Sequence, residues 1–207
     1  MIVYIVRHGE TVMNKERRVV GITNPPLSAR GIEQAEASAH WLKAHGRSLV
    51  VSSDLLRARQ TAEIIAAEID ISYDISTDLR ERDFRHLEGM PIEDLRAKMR
   101  QSGLSPDLAT IDWSGFPDVE DEACVITRFV SVCRRYSGKT KTLVIVTHAG
   151  IAHAAFNWCC ARDDRYSDYA MHIPKIRPGN IGEMEFAPAP RECGRWIRVI
   201  DPEGGTK

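Results

Sequence analysis

The sequence predicts an α/β protein with a mostly parallel central sheet and helices on both faces. Two observations support this class. The runs IVYIV at 2–6 and TLVIVT at 142–147 are apolar and rich in β-branched residues, as is typical of strands buried on both faces. Segments with helical periodicity alternate with such runs along the chain, and this order builds parallel βαβ units.

The first half of the chain shows clear start and stop signals. After the first strand, residues 7–26 contain glycine and paired prolines and are predicted to form a loop. Ser28 is an N-cap for a helix that runs to about 45 and is closed by Gly46. A second strand is expected at 49–51, and Asp54 is expected to cap the helix that follows it.

The second half repeats this alternation. Pro91 starts a helix that reaches about 101, because proline is favoured in a first helical turn. Residues 103–118 carry Gly, Pro and Ser and are expected to leave the sheet as an excursion. The remaining expected elements are strands near 73–76 and at 142–147, helices at 119–136 and 149–161, and two weaker strands near 181–186 and 196–200.

Length and composition limit the organisation and the class of protein. A chain of 207 residues with 43% hydrophobic and 28% charged residues predicts one domain, 1–207, with a cap or excursion around 82–118. The net charge of −1 argues against a general nucleic-acid or anionic-membrane binder. Whether the chain forms a homodimer is left open by the sequence.

The sequence also carries an expectation about the compartment. The first apolar run ends at Val6, which is too short for a signal-peptide core, and no stretch is long enough to form a membrane helix. The five cysteines are odd in number and contain no CxxC pair. Reduced thiols in a cytoplasmic protein fit this pattern best.

Charged and polar residues follow the ends of several predicted strands. Arg7 and His8 end the first strand, Arg57 follows the second, Glu81 follows the third, and His148 follows the strand at 142–147. In open α/β sheets, ligands bind beyond the carboxyl ends of the strands. A single histidine in such a position is more often structural than catalytic, so the prediction of a site depends on the combination.

Five separated motifs in this chain resemble those of the histidine phosphatase superfamily, which includes cofactor-dependent phosphoglycerate mutases. The motifs are VRHGET with Asn14 following, GITNPPLSARG, SSDLLRARQTA, LRERDFRHLEG and VIVTHAG, in the order of the family. The resemblance implies a phosphoglycerate mutase-like fold and places the chain on the phosphatase side of the family.

The resemblance also implies roles for residues at matching positions. His8 would become phosphorylated, and Glu81 would be the general acid. Protonated His148 would add a positive charge to a phosphate pocket lined by Arg7 and Arg57. Further hydrogen bonds to phosphate or substrate would come from Asn14, Thr23 and the backbone at Ala149.

The expected activity is that of a metal-independent phosphomonoesterase, a histidine acid-type phosphatase without cofactors, acting on a small-molecule phosphate ester. An imidazole can attack phosphorus, and two guanidinium groups can neutralise the equatorial oxygens. One alternative is mutase-type transfer back to substrate. It is disfavoured because only 67 residues separate Glu81 from His148, fewer than in the resembling mutases. A non-catalytic binding or scaffold relative is the other alternative, and the intact set of five residues argues against it.

The motif around Glu81 departs from the family pattern. Arg85 and Leu87 stand where the family usually has Gly and Trp, so the sequence leaves the shape of this loop open. Asp83 and Glu88 are alternative proton donors. Arg85, His86 and the 103–118 excursion are expected to contact the rest of the substrate, and their mixed polarity suggests a polar or anionic ester. His153, one turn past His148, is expected to pack in the core.

Overall fold

The computed structural model describes residues 1–45, 49–106, 113–160, 175–188 and 193–206. Within these ranges the strands are β1 (Ile2–Arg7), β2 (Leu49–Ser52), β3 (Tyr73–Ile75), β4 (Thr142–Thr147), β5 (Ile181–Ala187), β6 (Cys193–Asp201) and β7 (Gly205–Thr206). They form one sheet in the order β3-β2-β4-β1-β5-β6-β7. The first four in this order are parallel, and β5, β6 and β7 are added antiparallel at the other edge. The predicted α/β class with a mostly parallel centre is confirmed.

The helices of the described part are α1 (Val12–Lys15), α2 (Ala29–Lys43), α3 (Leu56–Ile69), α4 (Ile92–Gln101), α5 (Glu122–Tyr136) and α6 (Ala149–Cys160). The predicted cap of α2 is confirmed, because the Ser28 side chain accepts a hydrogen bond from the Gly31 amide. None of the helices in these ranges combines the length and apolarity that crossing a bilayer would require.

Alternate residues of the central strands pack on opposite faces of the sheet. Val3 and Ile5 of β1 lie in one apolar cluster with Phe129 of α5 and side chains of α6. Tyr4 and Val6 lie in a second cluster with side chains of α2 and α3. Burial on both faces explains why these strands are continuous apolar runs without polar alternation.

Several predicted boundaries are corrected. Asp54 does not cap α3: the cap position is Leu55, which makes no side-chain cap bond, and the Asp54 carboxylate instead accepts two bonds from Arg80. Helix α5 starts at Glu122 rather than at 119, because Val119 is buried in the cap. Gly46 and the end of α6 at 161 lie outside the described residues. Helix α1 and strand β7 were not predicted from the sequence.

The cap around 82–118 has a small core of its own, although 107–112 lie outside the described residues. Leu87, which stands in place of the family's tryptophan, is fully buried there. Arg85 has a φ of 50°, in the left-handed region that favours glycine. Arg85 therefore has a backbone conformation that glycine adopts without strain and that a side chain strains. The buried members of this core are Val19, Leu87, Leu95, Met99, Phe116 and Val119.

The register of the sheet brings three strand ends level. Arg7 pairs with Thr147 across β1 and β4, and Ser52 pairs with Val146 across β2 and β4. The residues that follow these strands therefore emerge together at one edge of the sheet.

Candidate active site

His8 is buried directly after β1, and its contacts fix which ring nitrogen carries the proton. Nδ1 lies 2.7 Å from the carbonyl oxygen of Gly9, which only accepts, so Nδ1 is the protonated nitrogen. Nε2 lies 3.1 Å from the Nε–H of Arg57, which only donates, so Nε2 holds the lone pair. Burial, followed by the charges of Arg57 and Arg7, holds the pKa of His8 well below 6.5. The ring is therefore neutral, and Nε2 is its nucleophilic atom.

Close backbone packing holds the turn that carries His8. A Cβ on Gly9 would overlap the carbonyl oxygen of Gly31 in α2, and a Cβ on Gly31 would overlap that of Glu10. The Gly9 amide also donates to the Thr61 hydroxyl of α3 at 3.2 Å. The turn after β1 is therefore held against both helices on that face.

Arg57, in the first turn of α3, is fully buried. Its two terminal nitrogens donate to the carbonyl oxygens of Thr23 and Gly21, each at 2.7 Å, while Nε–H points at His8. Burial lowers the pKa of Arg57 to about 10, so the side chain remains cationic at neutral pH. Each terminal nitrogen of Arg57, expected to bind phosphate as a bidentate pair, thus already donates one hydrogen bond to the loop at 21–23. Of the five N–H groups of a guanidinium, two remain for an anion.

Arg7 and His148 each keep a buried polar atom without a hydrogen-bond partner among the described residues: Nε of Arg7 and Nδ1 of His148. Another Arg7 nitrogen donates to the Ile176 carbonyl at 2.6 Å, and His148 Nε2 lies 2.9 Å from the Ser53 hydroxyl. The His148 ring centroid is 5.1 Å from that of His8. Two unused polar atoms beside the nucleophile suit an anionic ligand, because buried polar groups normally have partners.

The charge state of His148 differs from the expectation. Burial, followed by the Arg57 charge, holds the pKa of His148 well below 6.5, so the protein groups alone keep it neutral. Burial also lowers the pKa of Arg7 to about 10, and Glu81 partly opposes that effect. His148 would gain its proton only with a phosphate dianion beside it, since an anion favours the charged imidazole.

Glu81 is buried and lines the cavity that contains His8. Its two carboxylate oxygens accept bonds from the backbone amides of Arg82 at 2.8 Å and Gly150 at 3.0 Å. A Cβ on Gly150 would overlap the carboxylate end of Glu81, so a side chain at this position would displace that carboxylate. The carboxylate is therefore clamped between the cap loop and the start of α6.

Of the three other residues predicted to bind phosphate or substrate, two line the cavity and the third does not. Asn14 lines the cavity, and its side-chain oxygen accepts from the Thr11 amide at 3.1 Å, capping α1. Ala149 begins α6 and also lines the cavity, where the positive end of the helix dipole favours an anion. The Thr23 hydroxyl donates to Glu88, and its carbonyl receives Arg57. Its direct bond to phosphate stays a prediction.

Glu88 is a residue whose role the sequence analysis missed. Its carboxylate accepts from the amides of Gly21, Ile22 and Thr23 and from the Thr23 hydroxyl. The same loop gives Arg57 its two carbonyl acceptors. Glu88 therefore does not line the cavity and holds the loop that supports Arg57, and this position disfavours it as an alternative proton donor. The other alternative, Asp83, pairs with Arg85.

Other residues around the cavity also differ from expectation. Arg85 and His86 are exposed, and neither lines the cavity. His153 and Asn157 of α6 do line it, although His153 was expected to pack in the core. No group of three or more His, Cys, Asp or Glu side chains in the described ranges is arranged to hold a metal ion.

This chain is similar in sequence to known proteins over most of its length. The family model of the histidine phosphatase superfamily (branch 1) matches residues 3–186. Uncharacterized phosphatase PhoE of Bacillus subtilis (strain 168) is 32% identical over 152 residues, which cover 73% of this chain and 74% of that protein. Probable phosphoglycerate mutase GpmB of Yersinia pestis (strain Pestoides F) is 40% identical over 99 residues, 48% of this chain and 46% of GpmB.

A solved structure extends the similarity to almost the whole chain. Phosphoglycerate mutase from Thermus thermophilus is 28% identical, with a TM-score of 0.65, and the match covers 96% of this chain and 98% of that one. The family model begins in β1, which delivers Arg7 and His8, and ends in β5. By this match, which spans all five motifs, the chain belongs to the histidine phosphatase superfamily.

Proposed function

We propose that this protein is a metal-independent phosphomonoesterase that hydrolyses a small-molecule phosphate ester through a phosphohistidine at His8. The observation that carries the proposal is the state of His8. Its Nδ1–H is held by the Gly9 carbonyl, and its neutral Nε2 faces Arg57. A neutral imidazole fixed in this tautomer, beside two guanidinium groups, is prepared to attack a phosphorus atom.

The first step transfers the phosphoryl group. The Nε2 lone pair of His8 forms a bond to phosphorus as the bond from phosphorus to the ester oxygen breaks. The free N–H groups of Arg7 and Arg57 bind the phosphate oxygens and neutralise their charge. These cations already stand in the site, so little reorganisation accompanies the reaction.

Glu81, which is protonated when the step begins, completes the step by donating this proton to the departing oxygen, which leaves as an alcohol. In the second step the Glu81 carboxylate takes a proton from water, the water oxygen bonds to phosphorus, and the phosphorus–nitrogen bond breaks. Inorganic phosphate is released, and His8 and Glu81 return to their starting states. The clamp of Glu81 by two backbone amides keeps it at the cavity wall for both proton transfers.

Trapping the intermediate tests the nucleophile. Quenching a reaction with 4-nitrophenyl phosphate should leave a phosphoryl label that is labile in acid and stable in base. His8→Gln should abolish the label and lower kcat by several orders of magnitude, whereas His40→Gln, at an exposed histidine on α2, should keep both. A label that survives His8→Gln would overturn the assignment.

Chelation and inhibition test the phosphate pocket. Activity should survive EDTA, orthovanadate should inhibit, and Arg57→Lys should be costly, because an ammonium group cannot reach His8 and both loop carbonyls at once. Activity that vanishes on chelation and returns with a divalent cation would contradict a pocket built from Arg7, Arg57 and His148.

Mutase activity is a second candidate, because two similar proteins are named phosphoglycerate mutases. The short interval between Glu81 and His148 favours hydrolysis, since a mutase has to exclude water while the intermediate persists. The test supplies 3-phosphoglycerate with catalytic 2,3-bisphosphoglycerate. Isomerisation much faster than phosphate release would establish the mutase.

A further inference from the structure

The cavity that contains His8 and Glu81 extends beyond these two residues. Its volume is about 170 Å³. Since Glu81 gives a proton to the departing oxygen, the group attached to that oxygen has to occupy the same cavity. The part of its wall that surrounds this group is largely apolar and is built by the loop after α1, by α4 and by the cap: Val19, Val20, Phe84, Ile92, Leu95 and Trp113.

Two aromatic rings dominate this apolar wall. The centroids of Phe84 and Trp113 are 5.0 Å apart, with their planes at 51°. Each ring is only partly buried by the protein itself, so apolar surface remains for a ligand. Covering that surface stabilises a complex in proportion to the apolar area removed from water. The wall therefore suits an apolar or aromatic leaving group.

The cations of this outer part already have partners. Arg82 is buried, forms an ion pair with Glu122, donates to the Glu120 carbonyl and lies 5.2 Å from the centroid of Trp113. Arg18 donates to the Glu16 carboxylate at 3.0 Å and to the Gly89 carbonyl at 2.8 Å. Both arginines of the outer part of the described lining are thus engaged by protein groups, which disfavours a second anionic group on the ligand.

Asn157 adds a polar group to this wall. The Asn157 side-chain nitrogen donates to Glu122 at 2.9 Å, which fixes the orientation of the amide. Its Oδ1 is buried and has no hydrogen-bond donor among the described residues. A buried acceptor without a donor is destabilising, so a ligand that donates a hydrogen bond here is favoured.

We propose that the substrate is a phosphate monoester of an uncharged, aromatic alcohol that carries one hydrogen-bond donor for Asn157. The proposal rests on the phosphatase function argued above and gives its substrate class. It replaces the polar or anionic ester suggested by the sequence, because Arg85 and His86 lie on the exposed outside of the cap.

The test compares primary alkyl phosphates, so that the reactivity of the leaving group stays similar. The four esters are 2-phenylethyl phosphate, 2-(4-hydroxyphenyl)ethyl phosphate, glycerol 3-phosphate and 3-phosphoglycerate. Both aromatic esters should exceed the other two in kcat/KM by at least about tenfold, the usual scale for hydrophobic discrimination. The hydroxylated aromatic ester should be the better of the pair.

Variants assign these preferences to the wall. Phe84→Ala should lower kcat/KM for the aromatic esters but not for glycerol 3-phosphate. Tyr73→Ala removes a partly buried ring at the sheet edge, outside the cavity lining, and should leave the ratio unchanged. Asn157→Ala should remove the advantage of the hydroxyl group, whereas Gln101→Ala, at an exposed position, should keep it.

The outcomes separate this proposal from the proposed function. If the protein neither hydrolyses 4-nitrophenyl phosphate nor is labelled by it at His8, the proposed phosphatase function is wrong. If it turns over and labels His8, but glycerol 3-phosphate or 3-phosphoglycerate matches the aromatic esters, the substrate class alone is overturned. A hydroxyl preference that persists in Asn157→Ala would refute the role of its side-chain oxygen.

Discussion

Replacing Glu88 tests whether a carboxylate outside the cavity controls the reaction through Arg57. Its oxygens accept from Gly21 at 3.1 Å, from Ile22 at 2.9 Å, and from the Thr23 amide and hydroxyl at 3.3 and 2.5 Å. This loop supplies both carbonyl acceptors of Arg57. Removing the carboxylate should therefore loosen the guanidinium that contacts His8 and that is proposed to bind the phosphate.

The magnitude follows from these bonds. Each typical hydrogen bond contributes about 0.5–1.5 kcal/mol net, and water can replace part of it at this half-exposed site. We expect Glu88→Ala to cost the ordered loop about 2 kcal/mol in all. Since about 1.4 kcal/mol is tenfold in rate, full transmission to Arg57 would lower kcat/KM about 30-fold. Glu88→Gln keeps one accepting oxygen and should lose less.

The assay measures kcat/KM for 4-nitrophenyl and 2-phenylethyl phosphate, together with inhibition by orthovanadate. Because Arg57 acts on the phosphate, both esters should lose the same factor, and vanadate should bind more weakly. Glu33→Gln, at an exposed side chain paired with Arg30, is the control and should change nothing. A loss confined to the alkyl ester would instead identify Glu88 as a proton donor, and an unchanged rate would show that Arg57 does not need this loop.

Three further changes test the rest of the site. Gly150→Ala places a Cβ against Glu81, so 2-phenylethyl phosphate turnover should fall much more than 4-nitrophenyl phosphate turnover; equal losses would deny Glu81 its role as the acid. Arg85→Gly relieves a positive φ and should raise the free energy of unfolding by about 0.5 kcal/mol. Arg85→Ala keeps the strained Cβ, loses the pairing with Asp83 and should lower the free energy of unfolding. The reverse order of the two variants in thermal melts would refute the strain. His8 and His148 are neutral in the folded protein, whereas both protonate below pH 6.5 in the unfolded chain. The free energy of unfolding should therefore fall on acidification by up to about 1.4 kcal/mol per pH unit for each histidine. His148→Gln should remove half of that slope, and an unchanged slope in denaturant titrations would contradict the low pKa values.

The sequence predicts the residues of the site better than their contacts. His8 and His148 follow strong apolar runs, and parallel strands must end at the same edge, so their convergence follows from the pattern alone. The position of the proton on His8 cannot be predicted from the sequence, because it depends on the contact with Arg57 of helix α3. Glu88 bonds to amides 65 to 67 positions earlier in the chain, and no local pattern reports such a contact.

Cap and cavity show the same limit. The sequence leaves the shape of the Glu81 loop open, and neither the positive φ of Arg85 nor its pairing with Asp83 outside the cavity follows from it. Helix α6 is apolar over most of its length, which concealed that His153 and Asn157 face the cavity. A helix buried on nearly all sides gives little periodic signal, so its polar positions cannot be assigned to a face from sequence.

The protein groups of this site are mutually unfavourable without an anion, and this explains several observations at once. Arg7 and Arg57 are both cationic beside two histidines whose pKa values are held low, and Arg7 Nε and His148 Nδ1 have no partner among the described residues. A phosphate dianion would accept from the unused Arg7 nitrogen, separate the two positive charges and favour protonation of His148. The folding cost of the site therefore becomes binding energy for phosphate. His8 differs because its Nδ1 proton is already committed to Gly9, so the ligand meets the lone pair at Nε2, which accepts from Arg57 until the ligand arrives.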